Sequence, residues 1–208
     1  AEAIERILPK VAESLFIAWA GTVIGALFSF PIAFLAANNV AVNYISETTK
    51  QILNGIRAFP ELILAFVFLP ITGLGALTGT LAIGIHSIGT LGKLSSEVIE
   101  GIDEGPLEAI KSSGGSKINE LLFGVVPQVM PTITSYWLYR FEINLRASAV
   151  LGVVGAGGVG AELINQLRFR DFPRAGTVLV ATVVLVLTVD TISAAIRRRI
   201  IKGRSVKV

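Results

Sequence analysis

Glu108-Ala109-Ile110-Lys111-Ser112-Ser113-Gly114, with Pro127 further along the chain, is the stretch on which the interpretation of this sequence depends. It belongs to a charged, glycine-rich segment from 101 to 120, and long apolar runs lie on both sides of that segment. A water-loving loop between apolar runs needs a polar environment and a partner. We therefore expect this segment to join two membrane spans and to contact another protein.

The segment has the signals of a short helix. Asp103-Glu104-Gly105-Pro106 is a helix-start pattern, because proline suits the first helical turn and acidic side chains suit its positive end. The pattern predicts a helix over 107–112 that ends at Gly114-Gly115. Ser116 is then placed to cap the next helix.

Composition indicates a membrane protein. The chain has 208 residues, of which 52% are hydrophobic and 16% charged, and its mean hydropathy is +0.71. A soluble domain has about 25% charged residues. The length allows several helical spans but no large soluble domain in addition. There is no cysteine, which excludes a disulfide framework.

Apolar runs of about 20 residues predict an all-α, polytopic bundle. Five spans are predicted, with approximate bounds 14–37, 51–72, 76–99, 121–154 and 174–196. In the first, small residues recur at every fourth position, which predicts close contact with another helix; they are Gly21, Gly25, Ser29, Ala33 and Ala37.

Basic residues set the predicted topology. The tail 197–208, with Arg204 and Lys207 near its end, follows an apolar run and predicts a cytoplasmic C-terminus rather than a nucleic-acid surface. Counting back places the segments 101–120 and 38–50 in the cytoplasm. The turn at 73–75, the segment 155–173 and Ala1 are then external. Three basic residues depart from this pattern on the external side, namely Arg168, Arg170 and Arg174.

The polar segment resembles the loop by which permease subunits of bacterial ABC importers hold their ATPase. The family signature is Glu-Ala-Ala, three residues, Gly, nine residues, then Ile-x-Leu-Pro. Glu108, Ala109, Gly114 and Pro127 match it, whereas Ile110, Gly124 and Val126 depart from it. The resemblance implies that 101–120 is a cytoplasmic coupling loop within one permease domain, 1–208. The predicted docking residues are Leu107, Glu108, Ala109, Ile110, Ser112 and Gly114.

Four further blocks resemble the phosphonate-type branch of these permeases, namely 57–62, 86–93, 139–146 and 155–160. The resemblance implies a type I importer permease fold, usually with one more N-terminal span, in the bacterial inner membrane. It also implies four kinds of partner: a second copy, two cytoplasmic ATPase subunits that bind ATP and Mg, an external solute-binding protein and the lipid bilayer. This chain would bind no cofactor, metal or nucleic acid and perform no catalysis.

Arg140, Glu142, Asn144 and Arg146 form the strongest polar cluster within an apolar region. Charges at membrane depth usually face a bundle interior or a water-filled path, and arginine binds oxyanions through its planar fork. One hypothesis is that Arg140 or Arg146 lines the translocation path. The other is an intramembrane ion pair between Glu142 and Arg146, which are four residues apart and share a helix face.

Two glycine-containing motifs invite a nucleotide-binding interpretation that their surroundings do not favour. Gly155, Gly157, Gly158 and Gly160 match G-x-G-x-x-G, but that motif requires a βαβ unit and here lies between predicted spans. We expect instead a flexible or close-packed segment on the external side, near the pore mouth. The stretch 89–94 lacks the first glycine and the final Ser or Thr of a phosphate loop.

Isolated polar residues in the apolar runs are expected to serve packing. His86 has no cysteine or acidic neighbour in sequence, so a metal site is not expected, and a hydrogen-bonded role is. Arg57 and Glu61, four residues apart, are expected to form a structural ion pair.

The expected function is that of a permease for phosphonate or a related phosphorus oxyanion. A permease for another small solute, such as methionine or phosphate, is the first alternative. An ion-coupled secondary transporter would show inverted repeats, and none is visible in the sequence.

Overall fold

The computed structural model describes residues 2–202, which form helices and short connections, as the all-α prediction requires. Ala1, Arg204 and Lys207 lie outside the described residues. In chain order the elements are α1 (Glu2–Ala36), α2 (Asn43–Ala58), α3 (Glu61–Thr72), α4 (Ala76–Glu100), α5 (Gly105–Ser112), α6 (Lys117–Asn119), a π-helical segment (Glu120–Val125), α7 (Val126–Leu151), a 3-10 turn (Gly152–Val154), α8 (Gly158–Arg168) and α9 (Phe172–Lys202).

Helices α1 and α4 pack closely along the predicted stripe of small residues. A Cβ atom added at Gly21 would lie 2.7 Å from Ile83 Cγ2, and one added at Gly25 would lie 2.4 Å from Ser87 Cβ. Neither glycine could therefore carry a side chain without displacing α4. The prediction of close contact is confirmed, and its partner is α4.

The number of candidate spans differs from the predicted five. Three helical segments of the described residues are long and apolar enough to cross a membrane, Ile7–Ala36, Lys117–Arg168 and Phe172–Ile201; the bent pair α2–α3 makes a fourth if it is one span. The helix α4 is not among them. Many of its buried positions are Gly, Ser or Thr, because α4 packs against α1, α2, α3 and α7 and needs small residues more than apolar ones.

The predicted span 51–72 is not one continuous helix. Helices α2 and α3 meet at 84°, and the break lies at Phe59 and Pro60. Phe59 is extended, with φ −86° and ψ 119°, as expected for a residue that precedes proline. Proline also lacks the N–H that would continue the helix.

Helix α2 begins at Asn43, inside the polar segment 38–50, whose composition is typical of a loop. Its buried Ser46 donates a hydrogen bond to the carbonyl oxygen of Ala36 at the end of α1. Lys50 Nζ lies 2.8 Å from Glu100 Oε1 at the end of α4. These polar side chains therefore hold a helix against its neighbours instead of pointing into solvent.

The predicted short helix is present as α5, which starts two residues earlier than expected. Gly114 follows it in the left-handed region, with φ 79°. The Ser116 side chain caps α6 by accepting a hydrogen bond from the Asn119 N–H at 3.4 Å. Connections that contain glycine therefore separate α5 from α4 and from α6 along the chain.

Candidate functional site

One side of α5 packs against the chain itself. A Cβ atom added at Gly124 would lie 3.1 Å from Leu107 Cδ1 and 3.4 Å from Ile110 Cδ1. Leu107 and Ile110 therefore occupy the space that a larger residue at 124 would need. Both residues are among the predicted docking residues, and in this structure both side chains are half-buried beside the π-helical segment.

The other side of α5 is open. Glu108, Ala109, Ser112 and Gly114 are exposed, and Glu108 forms no ion pair with any residue of the described chain. Beside them lies a cleft of about 500 Å³, which Phe123 lines with an exposure of 70%. The exposed docking residues and this cleft form a continuous surface of small, acidic and apolar groups.

The start of α5 is tied to α7 by a pair of hydrogen bonds. Gln128 Oε1 accepts from the Asp103 N–H at 3.1 Å, and Gln128 Nε2 donates to the Asp103 carbonyl oxygen at 3.0 Å. Gln128 Nε2 also donates to the Gly124 carbonyl oxygen at 2.9 Å. A displacement of α5 would therefore be passed to the first turns of α7.

A second group of polar residues lies inside the bundle around Arg140, which is 5% exposed. Arg140 Nη2 donates to Glu61 Oε1 at 2.9 Å, and Arg140 Nε donates to Ser87 Oγ at 3.0 Å. His86 Nδ1 lies 3.0 Å from the same oxygen of Glu61 and also close to Arg140 Nη2. In the tautomer that carries its proton on Nδ1, His86 donates to Glu61, and both nitrogens then have this carboxylate as their acceptor.

Asn144 extends this group to α1. Its side chain is fully buried, and its Nδ2 donates to Thr22 Oγ1 at 2.8 Å and to Ser87 Oγ at 3.0 Å. Side chains from α1, α3, α4 and α7 thus meet in one hydrogen-bonded network. We call it the buried polar cluster; its members are Thr22, Glu61, His86, Ser87, Arg140 and Asn144.

The predicted ion pair between Glu142 and Arg146 does not form. Glu142 is buried and its Oε1 lies 3.0 Å from Arg197 Nη2, whereas Arg146 Nη2 lies 2.7 Å from Asp190 Oδ2. Both partners are on α9, which packs along α7. Spacing by four residues permits a pair on one helix, but a neighbouring helix offers each charge a partner outside its own backbone.

The predicted pair of Arg57 and Glu61 does not form either. The bend between α2 and α3 separates the two residues, Arg57 is exposed, and Glu61 turns to Arg140 and His86. The hydrogen-bonded role expected for His86 is present, although with an acidic neighbour that the sequence did not reveal. A charged residue within an apolar run was the available signal for Glu61.

The glycine-rich segment is close-packed. A Cβ atom added at Gly160 would lie 1.8 Å from the Ala149 carbonyl oxygen. Gly158 has φ 69°, and a Cβ atom there would lie 2.2 Å from Ser14 Oγ, which accepts a hydrogen bond from the Val159 N–H at 3.0 Å. The glycines therefore let the chain pack against α1 and α7, whereas a phosphate loop would leave its backbone open. Gly155 and Gly157 also have positive φ.

Comparison with known proteins identifies the family. The family described as binding-protein-dependent transport system inner membrane component matches residues 29–204. The chain belongs to this family. It is therefore a multi-pass inner-membrane permease subunit of an ABC importer, and the ATPase activity lies in partner subunits.

Relatives with similar sequences include permeases named for phosphorus compounds. The permease is 40% identical over 187 residues to the phosphite transport system permease protein PtxC of Stutzerimonas stutzeri. This match covers 89% of this chain and 68% of that protein. It is 41% identical over 194 residues to the phosphate-import permease protein PhnE of Mycolicibacterium smegmatis, covering 93% of this chain and 36% of that protein. It is 45% identical over 121 residues to the putative cryptic phosphonate transport system permease protein PhnE2 of Escherichia coli, and that match covers 58% of this chain and 99% of that protein.

A solved structure has the same fold. A chain of the MetNI methionine ABC transporter, in an inward facing conformation, aligns with a TM-score of 0.83 at 20% identity. The alignment covers 96% of this chain and 99% of that chain. At this identity the likeness establishes the helical permease fold and nothing about cargo.

Proposed function

We propose that this permease forms the translocation path for phosphonate or a related phosphorus oxyanion, such as phosphite or phosphate. The observation that carries the proposal is the identity of about 40% with permeases named for phosphite and phosphate, over about nine-tenths of this chain. The block 139–146, which resembles the phosphonate branch, supports it. Methionine is the second candidate cargo, from the shared fold of the methionine transporter, but there the identity is only 20%.

We further propose that α5 docks on a cytoplasmic ATPase subunit, which binds ATP and Mg. The exposed surface of Glu108, Ala109, Ser112 and Gly114 supports this role, since its side chains are small and its one charge has no partner in the described chain. The hydrogen bonds of Gln128 support transmission, because they connect α5 to α7. In this arrangement Leu107 and Ile110 hold α5 on the permease while the opposite side meets the ATPase.

The permease is proposed to act as a homodimer with a cytoplasmic C-terminus. Only 6% of the residues in the most apolar stretch of α9 are buried inside the chain. Apolar side chains such as Val180, Val184 and Leu187 are more than half exposed. This surface requires lipid or a second copy against it. The basic residues Arg198 and Arg199, at the end of α9, support the cytoplasmic placement.

Uptake into proteoliposomes tests the cargo. The permease would be reconstituted with its ATPase subunits and with the solute-binding protein, and uptake of labelled methylphosphonate, phosphite, phosphate and methionine would be measured with and without ATP. We expect ATP-dependent uptake of at least one phosphorus compound and none of methionine. Uptake of methionine alone would overturn the proposed cargo.

A further inference from the structure

The buried polar cluster contains two donors directed at a single carboxylate. Arg140 Nη2 and His86 Nδ1 both lie about 3 Å from Glu61 Oε1. Ser87 and Asn144 make no hydrogen bond to this carboxylate. Ser87 Oγ accepts from Arg140 Nε, and Asn144 Nδ2 donates to the same Ser87 oxygen, so the two residues hold the guanidinium in place. The cluster therefore has two positioned hydrogen-bond donors, Arg140 and His86, and one anionic occupant, Glu61.

The occupant is the most exposed of the three side chains. Side-chain exposure is 6% for Arg140, 12% for His86 and 24% for Glu61. Glu61 therefore covers the two donors on the side where the cluster reaches the surface of the chain. Removal of this carboxylate from its position would open the donors toward that surface.

Glu61 also lies next to a break between two helices. It is the first residue of α3 and follows the break at Phe59 and Pro60, where α2 and α3 meet at 84°. A change in the backbone torsions at this break would carry Glu61 away from Arg140. Such a change would separate α3 from α4, on which it packs through the buried Ala65, while the donors remain on α4 and α7.

A phosphorus oxyanion presents the same kind of acceptor as a carboxylate. Both receive charge-assisted hydrogen bonds from arginine, whose planar fork suits phosphate-like groups. An arginine inside a membrane bundle needs an anionic or polar partner at all times. Exchange of one anion for another meets this requirement, whereas departure of Glu61 alone would not.

We propose that Arg140 and His86 form an anion-binding site that Glu61 occupies in this structure and that a phosphorus oxyanion occupies when α3 moves. This inference rests on the proposed phosphorus cargo and names the residues that recognise it. Glu61 acts as an internal competitor. The cargo's entry and the movement of α3 are then a single exchange.

The pair of Arg146 and Asp190 is the matched control within the same chain. It is also an arginine–carboxylate pair, with 2.7 Å between nitrogen and oxygen, but the Arg146 side chain is 54% exposed and no histidine joins it. Loss of Asp190 exposes Arg146 to its surroundings without creating an enclosed site. The Asp190→Ala variant therefore separates a specific site from general attraction of anions to arginine.

The experiment is thermal unfolding of the purified permease–ATPase complex with Glu61→Ala in the permease, in detergent and without the binding protein. Phosphite, phosphate, methylphosphonate and formate are added in turn, with chloride at equal ionic strength as the reference. We expect the Tm of Glu61→Ala to rise with the logarithm of the ligand concentration, by about 5 to 10 °C at a concentration 100-fold above Kd. Asp190→Ala and the double variant Glu61→Ala/Arg140→Met should not shift. An equal rise in either control, or a rise with formate alone, would overturn the site.

A second variant covers the case in which Glu61→Ala does not assemble. Glu61→Asp keeps the charge but is one methylene shorter, so it competes less well for Arg140. The Kd of phosphite, obtained from the dependence of Tm on phosphite concentration, should fall at least several-fold below that of the unmodified complex. An unchanged value overturns the exchange. This experiment measures binding and no transport. Binding of phosphorus oxyanions here, without phosphorus uptake in proteoliposomes, would refute the proposed cargo alone. Phosphorus uptake without the binding expected here would refute this site alone.

Discussion

Replacing Gly25 with alanine tests the packing of α1 on α4 and, through it, the support of the buried polar cluster. The new Cβ would lie 2.4 Å from Ser87 Cβ. Ordinary van der Waals contact begins at 3.4 Å, so the two helices must separate by about 1 Å or tilt apart. Ser87 Cβ is bonded directly to the backbone and cannot rotate away, and Ser87 Oγ would move from Arg140 and Asn144.

The cost follows from this geometry. Forcing an extra methyl group into a close-packed interior costs about 1 to 3 kcal/mol. Alanine is at the same time the better helix former by about 1 kcal/mol, which offsets part of the cost. Gly55→Ala in α2 isolates the second effect, because an added Cβ there has nothing within 4 Å. The difference between the two variants is therefore the cost of overpacking alone.

The assay is thermal unfolding of the two purified variants in the same detergent. A change of 1 kcal/mol corresponds to about 2 to 4 °C for a chain of this size, so Gly25→Ala should melt about 2 to 12 °C below Gly55→Ala. ATP-dependent uptake should fall in Gly25→Ala and persist in Gly55→Ala. Equal melting temperatures, within 1 °C, would refute the close contact of α1 with α4 and the reasoning built on it.

Three further outcomes are expected. Glu142→Gln and Arg197→Gln should show a coupling of about 1 to 3 kcal/mol in a double-mutant cycle, since each leaves a partly buried partner unpaired. Partial desolvation raises the pKa of Glu100, but hydrogen bonds from Lys50 and the Asn38 N–H outweigh it and lower the pKa below its ordinary 4.5. The stability that this group contributes should therefore be complete above pH 4.5 and lost as the pH falls through the lowered pKa. The difference in Tm between the unmodified chain and Glu100→Gln, followed against pH, measures this contribution. Ser112→Cys should crosslink to an ATPase subunit in intact membranes.

Each of these outcomes has a control. A cycle between Glu142 and Arg146 should give a coupling near zero, and a coupling as large as that with Arg197 would contradict the observed pairing. A Tm difference for Glu100→Gln that does not change with acidity would exclude the stabilising role of that carboxylate. Thr177→Cys is the matched exposed residue, on the side predicted to be external, and capture of the ATPase there as readily as at Ser112 would remove the case for docking by α5.

Local signals predicted a large part of the molecule. The small residues at every fourth position of α1 predicted a close contact, since a helix repeats its surface over that interval. The helix α5 and the cap at Ser116 followed from proline, acidic residues and serine acting within a single turn. The end of α2 at Pro60 was harder to predict from the sequence, because a proline can either kink a helix or end it. Its surroundings decide between these outcomes.

Ion-pair partners could not be predicted in the same way. Glu142 with Arg146, and Arg57 with Glu61, have the spacing that a single helix favours. The bend at Pro60 removed Glu61 from Arg57, and α9 placed Arg197 and Asp190 beside α7. A buried charge pairs with the nearest opposite charge in space. That neighbour can be far away in sequence.

By itself, the sequence determined the class of this protein: an all-helical membrane permease with a polar helix between two long apolar segments. Hydropathy, helix capping and the permease motif depend on residues near one another in the chain, so they can be read from it directly. Only the tertiary structure decided that Glu61, His86, Ser87, Arg140 and Asn144 share one site and that Leu107 and Ile110 face inward. Those arrangements depend on how α3, α4 and α7 cross and on where α5 lies. The packing of whole surfaces sets both, and no single stretch of sequence contains it.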